Sequence, residues 1–283
     1  MDSLSPFSVA NRGSLCAPLV ISIPHAGRAY PPECGAMTRV PLERLMRLED
    51  RFADTLAKGC IRAGMRVITA QTPRLWIDLN RAESDFDPQM MLPPLPAVPF
   101  TSQKVRQGLG LVPARLSGVG DIWREKLSQT DLAARIEHVH RPYHAAVADS
   151  LNEAQRRFGC AVLLDVHSMP PIKGDDAPDV VIGDRFGRTA DARISDCARA
   201  VCENAGLRVA INTPYAGGYV LERHGRPHAN IHAVQIEFDR RLYLDTAQEQ
   251  PSARCAQIQA LVATLAHALV KELGTTRFAE AAE

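Results

Sequence analysis

Short apolar runs alternate with longer amphipathic segments along this chain. The apolar runs have the length of strands, whereas the amphipathic segments repeat their apolar residues at helical spacing. The predicted strands are Leu19–Ile23, Met65–Ala70, Leu75–Leu79, Cys160–Val166, Val180–Gly183, Leu207–Ile211 and Ala233–Phe238. Helices that separate short apolar strands predict an α/β fold, with a mainly parallel mixed sheet and helices on both faces.

The predicted helices have recognisable starts and stops. They cover 42–56 with a stop at Gly64, 131–158, 190–204 and 253–273. Asp131 is the predicted cap of the second helix, and Gly159 follows its end. Pro142 lies inside that helix and should kink or break it near Arg141, because proline lacks the backbone N–H.

The stretch from Asp85 to Gly120 is rich in proline and glycine, with Pro93-Pro94-Leu95-Pro96 at its centre. It is too long for an ordinary connection and predicts a functional excursion or flap, with a disordered insertion as the alternative for its proline-rich half. The 283 residues suit one large domain over residues 1–283, although two would be possible.

Composition narrows the class of protein. The formal net charge of +1 gives no reason to expect a nucleic-acid partner. The seven cysteines are scattered without a C-x-x-C pair, which favours reduced thiols in a cytosol. The first residues lack a secretory pattern, and no apolar run reaches membrane-spanning length. We therefore expect a cytoplasmic protein without a membrane or nucleic-acid partner. The sequence does not indicate its oligomeric state.

Two histidines follow apolar strands directly. His25 comes just after Leu19–Ile23, and His167 ends the run that begins at Cys160. Ligands of α/β proteins bind at the carboxyl ends of strands. A hydrolytic zinc site needs about three His, Asp or Glu ligands and one open position. The third ligand should come from the helix after residue 42, where the choices are Glu49, Asp50 and Asp54.

Glu237 lies inside an apolar strand, where a carboxylate is uncommon. It is a candidate general base for a metal-dependent hydrolysis. An ion pair with Arg240 or Arg241 is the alternative. Asp165 shares a strand face with His167 and could orient that ring if the ring binds a metal. For both histidines, packing against a backbone carbonyl is the other interpretation.

An ordered set of motifs resembles the N-formylglutamate amidohydrolase family from about Leu19 to about Asp245. The motifs are Pro24-His25-Ala26-Gly27, Glu49-Asp50-Arg51-Phe52-Ala53-Asp54, Ile77-Asp78-Leu79-Asn80-Arg81, Arg141-Pro142-Tyr143-His144, Asp165-Val166-His167-Ser168, Pro214-Tyr215-Ala216-Gly217-Gly218-Tyr219 and His232-Ala233-Val234-Gln235-Ile236-Glu237. The family is similar in architecture to zinc exopeptidases. The resemblance implies metal ligation by His25, Asp50 and His167, with Glu237 as base.

The resemblance also implies a reaction. It points to a small-molecule substrate, N-formyl-L-glutamate, cleaved to formate and L-glutamate in histidine breakdown. Mixed nitrogen and oxygen ligands suit Zn²⁺, and Mn²⁺, Fe²⁺ or Co²⁺ could substitute. The alternatives are a deacylase or peptidase for another N-acyl amino acid or peptide-like amide, and a non-catalytic binding protein on the same scaffold.

A substrate with two carboxylates calls for arginine, which binds carboxylate bidentately. Arg81 is the first candidate anchor and Arg141 the second. The other candidate binding residues are Asn80 and Asn212 for the amide, His144 and His232 (with Arg81) for the oxyanion, Gly217 and Gly218 for close backbone approach or a hinge, and Tyr143, Tyr215 and Tyr219 for the pocket wall. Packed tyrosines are the alternative for the last group.

Overall fold

A computed structural model describes residues 5–94 and 102–280 of the chain, with side chains up to residue 274. Seven strands form its main sheet: β1 (Phe7–Ala10), β2 (Leu19–Ile23), β3 (Arg66–Ala70), β8 (Ala161–Met169), β9 (Val180–Gly183), β10 (Val209–Ile211) and β11 (Ile231–Asp239). Two small ladders pair β4 (Met91–Leu92) with β7 (Leu127–Ser128), and β5 (Arg115–Leu116) with β6 (Gly120–Asp121).

The main sheet has the strand order β1-β3-β2-β8-β11-β9-β10. Strand β2 runs parallel to β3 and β8, β8 is parallel to β11, and β9 is parallel to β10. The β9–β11 pair is antiparallel, which makes the sheet a mixed one. Every residue of β2, β3, β8, β9 and β11 is buried, so both faces of the sheet are covered. The predicted mainly parallel mixed sheet is confirmed.

Ten α-helices accompany the strands within the described residues: α1 (Cys34–Met37), α2 (Leu42–Leu45), α3 (Ala53–Leu56), α4 (Lys58–Arg62), α5 (Gln103–Arg106), α6 (Gln129–Arg135), α7 (Arg141–Phe158), α8 (Ala192–Asn204), α9 (Tyr219–His224) and α10 (Cys255–Glu280). Helix α10 contacts α3, α4 and α8 as well as β2 and β8. Helix α7 reaches the sheet through Arg66 of β3, which donates to Ser150 and Glu153. Within the described chain, no helix combines the length and the apolar character needed to cross a membrane.

The predicted helix over 42–56 is broken in two, and this part of the prediction is wrong. A 3₁₀ turn at Met46–Leu48 follows α2, and the chain leaves helical geometry before α3. Phe52 has a φ of 58°, in the left-handed region. The apolar spacing indicates the buried side only in part, because Leu45 and Leu56 are buried whereas Leu42, Met46 and Phe52 are half-buried. The spacing of apolar residues does not reveal the break, and as a result Glu49 and Asp50 lie outside the helices.

The predicted strand Leu75–Leu79 is also wrong, because these residues form a buried turn. The N–H of Trp76 donates to the carbonyl of Pro73, and the N–H of Asp78 donates to the carbonyl of Leu111. Leu75, Ile77 and Leu79 are each about as buried as core strand residues. The apolar run therefore predicts burial correctly, but no neighbouring strand pairs with this segment in the described structure.

The long helix does change geometry at the predicted position. A π-helical segment, Ile136–His140, separates α6 from α7, which begins at Arg141. Pro142 cannot donate a backbone hydrogen bond, and a wider turn before it accommodates that loss. The cap differs from the prediction: Ser128 caps α6 by accepting from the N–H of Asp131.

The chain divides into two compact units. The first comprises the described parts of Met1–Ser8, Pro24–Glu49 and Ala70–Ala145, and it contains the small ladders. The second comprises Val9–Ile23, Asp50–Thr69 and Ala146–Glu283, again in their described parts, and it carries most of the main sheet. The proline-rich and glycine-rich stretch over 85–120 belongs to the first unit. Leu111 and Val112 within it are buried, whereas Leu95 and Pro96 lie outside the described residues.

All seven cysteines lie in the described chain, and each is a free thiol. Burial raises the pKa of Cys34 and of Cys60 to about 11, which makes these two thiols unreactive near neutral pH. We expect seven alkylated cysteines when the denatured protein is treated with iodoacetamide without reductant and measured by mass spectrometry. A matched sample reduced before alkylation is the control, and a higher count in that sample would reveal a disulfide.

Candidate metal centre

Strand β8 places His167 and Asp165 on the same face, because side chains two residues apart point the same way. The Nε2 atom of His167 lies 2.9 Å from Oδ2 of Asp165. The hydroxyl of Ser22, on the neighbouring strand β2, donates to Oδ1 of Asp165 at 2.7 Å. All three residues are buried. Asp165 is therefore held by its neighbour and in turn fixes one ring nitrogen of His167.

The other ring nitrogen of His167 faces Asp50. Nδ1 lies 2.9 Å from Oδ2 of Asp50, and Nη2 of Arg240 lies 3.4 Å from Oδ1 of the same carboxylate. Burial by itself would lower the pKa of His167. The carboxylates of Asp165, Asp50 and Glu237 outweigh burial and hold that pKa well above its usual value. Positive charge is thus favoured between these carboxylates, as a bound cation would require.

His25 follows β2 by two residues, and its ring is held in a similar way. Its Nε2 atom lies 2.7 Å from Oδ1 of Asp78, which is fully buried. Asp78 also accepts from Nε of Arg74 and from the N–H of Asn80, both at 2.8 Å. Burial would raise the pKa of Asp78, but Arg74 and His25 reverse this and hold it well below its usual range.

The three predicted ligands form a cluster. One ligand atom each from His25, Asp50 and His167 lies within 4.8 Å of the other two, and all three residues are buried. Two imidazoles and one carboxylate are a donor set that suits zinc. Each histidine also has one ring nitrogen bonded to an aspartate outside the cluster, Asp78 for His25 and Asp165 for His167, which is the arrangement that orients metal-binding histidines in proteins. The residues present therefore fit a divalent metal ion.

Among the three candidate carboxylates, Asp50 is the one in this cluster. Glu49 is equally buried, but its Oε1 accepts from the hydroxyl of Tyr30. Asp54 is half-buried on α3. The break before α3 explains the selection, because residues of one continuous helix face would have presented Asp50 and Asp54 together.

Glu237 lies beside the cluster on β11. It is the register partner of His167 in the parallel β8–β11 pair, and it is buried. Its Oε1 accepts from Nε2 of Gln235 at 3.0 Å. Of the two arginines considered as ion-pair partners, Arg240 contacts Asp50 and Ser168, and Arg241 pairs with Asp239. A buried carboxylate next to a metal-binding cluster is suitably placed for proton transfer.

Arg81 belongs to the turn that contains Asp78. Its Nε donates to the carbonyl of Leu109 at 3.0 Å and its Nη1 to that of Asn80 at 2.7 Å. Burial lowers the pKa of Arg81, and Asp78 partly compensates. Across residues 5–94 and 102–280, Nη2 of Arg81 has no hydrogen-bond partner, and this atom is not fully buried. One edge of this guanidinium is therefore available to a ligand.

Helix α7 and the π segment support the same turn. Nε2 of His144 lies 2.9 Å from the carbonyl of Leu79, and Nε2 of His140 lies 2.8 Å from that of Arg81. The two rings pack together, with centroids 4.4 Å apart. The sequence predicts His144 as an oxyanion donor, but here it contacts the backbone that carries Asn80 and Arg81. The geometry gives it a supporting role for this turn.

Three other candidates have local partners or a strand position of their own. Arg141 is exposed, and its guanidinium already binds Glu83 and Glu137. His232 lies five residues from Glu237 along β11, about 16 Å at the usual strand rise. Asn212 uses both ends of its amide on Asp184. The geometry of these three side chains therefore gives no support to a role in substrate binding, which stays a prediction from the sequence.

The glycine and tyrosine candidates differ in their surroundings. Gly217 has a φ of 105°, and a Cβ there would come within 2.5 Å of the Leu221 side chain, so glycine is required. Tyr143 is fully buried against Phe7 and His144, as the packing alternative expects. Tyr215 and Tyr219 are half-buried, and the hydroxyl of Tyr219 accepts from Arg223. These contacts of Tyr143 and Tyr219 are with residues outside the cluster.

Sequence reasoning missed the roles of two residues of the site. Asp78 and Gln235 both lie in motifs of the family, but neither has a predicted role. A sequence signal exists for both, because Asp78 lies between Ile77 and Leu79, and Gln235 lies between Val234 and Ile236. A polar residue flanked by apolar ones in a buried segment must find a hydrogen-bond partner there.

Comparisons with known sequences all point to one family. A sequence model of N-formylglutamate amidohydrolase matches residues 17–244. The chain is 28% identical to N-formylglutamate deformylase of Pseudomonas aeruginosa, over 90% of this chain and 91% of that protein. It is 29% identical to N-formylglutamate deformylase of Pseudomonas putida, over 82% of this chain and 83% of that protein.

Solved structures are similar as well. The crystal structure of N-formylglutamate amidohydrolase from Ralstonia eutropha JMP134 matches with a TM-score of 0.86 and 31% identity, over 98% of this chain and all of that one. The gene product Atu2144 from Agrobacterium tumefaciens matches with a TM-score of 0.70 and 20% identity, over 96% of each chain. The second likeness concerns the fold alone.

Proposed function

The chain belongs to the N-formylglutamate amidohydrolase family, and we propose that it hydrolyses N-formyl-L-glutamate to formate and L-glutamate with a bound divalent metal, preferably zinc. The observation that carries the proposal is the buried cluster of His25, Asp50 and His167 with Glu237 beside it. The substrate is taken from the names of the relatives in Pseudomonas and Ralstonia. Cytoplasmic histidine breakdown remains the proposed setting.

The proposed mechanism assigns a role to each residue. A divalent ion held by His25, Asp50 and His167 would polarise the amide carbonyl and lower the pKa of a water molecule to about 7. Glu237 takes the proton of the attacking water and passes it to the leaving nitrogen, so that formate and the free amine separate. Asp78 and Asp165 hold Nε2 of His25 and Nε2 of His167, which would leave the other nitrogen of each ring for a metal ion.

Arg81 is the proposed anchor for a substrate carboxylate, since one edge of its guanidinium has no protein partner in the described chain. Loss of a buried ionic partner costs about 2–5 kcal/mol, or roughly 30- to 5,000-fold in binding. We therefore expect Arg81→Ala to lower kcat/KM for N-formylglutamate within that range and to leave the metal content unchanged. Initial rates of formate release and elemental analysis measure the two quantities.

The matched control is Arg141→Ala, which removes an exposed arginine already paired with Glu83 and Glu137. We expect it to change kcat/KM by no more than about twofold, as is usual for surface substitutions. Arg81→Lys keeps the charge but not the bidentate geometry and should be intermediate. Equal losses in Arg81→Ala and Arg141→Ala would contradict the assignment of the anchor.

The function itself is tested with purified, zinc-loaded protein and a small panel of N-acyl amino acids. We expect formate release from N-formylglutamate with a kcat/KM well above that for N-formyl-leucine. A ratio near one would refute an acidic side-chain pocket while leaving a metal-dependent deacylase. Metal binding without turnover of any panel member would favour the non-catalytic alternative, and chelated protein serves as the blank.

A further inference from the structure

The side-chain amide of Gln235 connects two parts of the molecule. Gln235 is buried on β11, two residues before Glu237 and on the same face of the strand. Its Oε1 accepts from the backbone N–H of Gly218 at 3.2 Å, and its Nε2 donates to Oε1 of Glu237 at 3.0 Å. The amide thus bridges the loop at Gly217-Gly218 and the carboxylate proposed as the base.

The orientation of this amide follows from its partners. The N–H of Gly218 can only donate, so the amide oxygen must face it. The NH₂ group then points to Glu237, which as a carboxylate can only accept. Exchanging the oxygen and the nitrogen would set two donors against each other at one end and two acceptors at the other. The network therefore holds one orientation of Gln235 and directs one N–H at Glu237.

The neighbouring strand is shaped to allow this contact. Gly183 of β9 is the register partner of Gln235. A Cβ at Gly183 would come within 2.6 Å of the backbone carbon of Ala216, so the loop passes directly over this glycine. The absence of a side chain at Gly183 lets the loop come close enough for the N–H of Gly218 to reach β11.

We propose that Gln235 is the positioning residue of Glu237 and that it ties the position of the base to the Gly217-Gly218 loop. This inference rests on the proposed role of Glu237. A bond to Oε1 restrains rotation of the carboxylate and so sets the direction of its second oxygen. Catalytic groups displaced by about 1 Å can lose 10²-fold in rate, which is the effect expected when this restraint is removed.

The kinetic test is a double-mutant cycle with Gln235→Leu and Glu237→Gln. In the wild-type background, Gln235→Leu should lower kcat about 10- to 100-fold, with KM and metal content unchanged within about twofold. In the Glu237→Gln background it should cost less than about twofold, because no base remains to be positioned. An equal loss in both backgrounds would overturn the inference and indicate a packing role. Gln235→Met is the second variant if Gln235→Leu does not fold.

A second readout does not depend on turnover. Amide exchange of Gly218 should become several-fold faster in Gln235→Leu than in the wild type, because a hydrogen bond is lost. It should remain slow in Glu237→Gln, where the bond to Gly218 persists. Unchanged exchange in Gln235→Leu would overturn the link to the loop. Absence of wild-type formate release would instead refute the proposed function, so the two failures are distinguishable.

Discussion

Glu237→Gln is expected to abolish most turnover while the protein keeps its fold and its metal. The amide has nearly the shape of the carboxylate but cannot accept the proton of the attacking water. Removal of a general base lowers rates by roughly 10²- to 10⁴-fold, and we expect kcat to fall within that range. Formate release at saturating N-formylglutamate measures the loss, and elemental analysis of the same sample measures the bound metal.

The chain offers a matched control for this substitution. Glu222 on α9 is exposed and pairs with Arg185, so Glu222→Gln makes the same chemical change away from the cluster. Its kcat should stay within about twofold of the wild type, as for most surface substitutions. If Glu237→Gln retained wild-type kcat, Glu237 would be a structural carboxylate and another group would have to accept the proton.

Replacement of a metal ligand should have an equally large effect on the affinity for the metal ion. We expect one divalent ion per wild-type chain and almost none in His167→Ala after dialysis against a weak chelator. Loss of the partner that orients a ligand costs about 10- to 100-fold in metal affinity, and loss of the ligand itself should exceed this. Asp165→Asn is therefore expected to be intermediate. Zinc titration with a competing indicator measures all three affinities.

His224→Ala is the control for removal of a buried histidine. Burial, with Arg223 and Arg226 nearby, lowers the pKa of His224 to about 3, and this residue lies outside the cluster. Its replacement should reduce stability while one equivalent of metal remains bound. If His167→Ala bound zinc as tightly as the wild type, the assignment of the cluster as a metal site would be wrong.

The sheet and its histidines could be predicted from the sequence, because both depend on local patterns. The apolar runs that become β2 and β8 have the length of strands, and each is followed closely by a histidine. Parallel strands bring their carboxyl ends to one edge, so His25 and His167 are expected at the same edge of the sheet. The register of β8 and β11 then places Glu237 beside His167.

Residues whose role depends on distant partners are harder to predict. The apolar run at Leu75–Leu79 predicts burial but not the absence of a strand partner, so a strand is the wrong assignment there. Arg141 and Asn212 have side chains that could bind a carboxylate or an amide. In the structure, Arg141 forms an ion pair with Glu83, and Asn212 donates a hydrogen bond to Asp184. The apolar neighbours of Gln235 indicate that its amide must find a hydrogen-bond partner, but they do not indicate which one. Its importance depends on Gly218, 17 residues away in the sequence.

The pairing of β8 with β11 over nine consecutive residues has a consequence for how such a protein can change during evolution. A one-residue insertion or deletion before His167 within β8 would turn every later side chain of that strand to the opposite face. His167 would then exchange places with an apolar neighbour. Point substitutions can therefore alter this enzyme gradually, whereas changes of length can accumulate only in its loops.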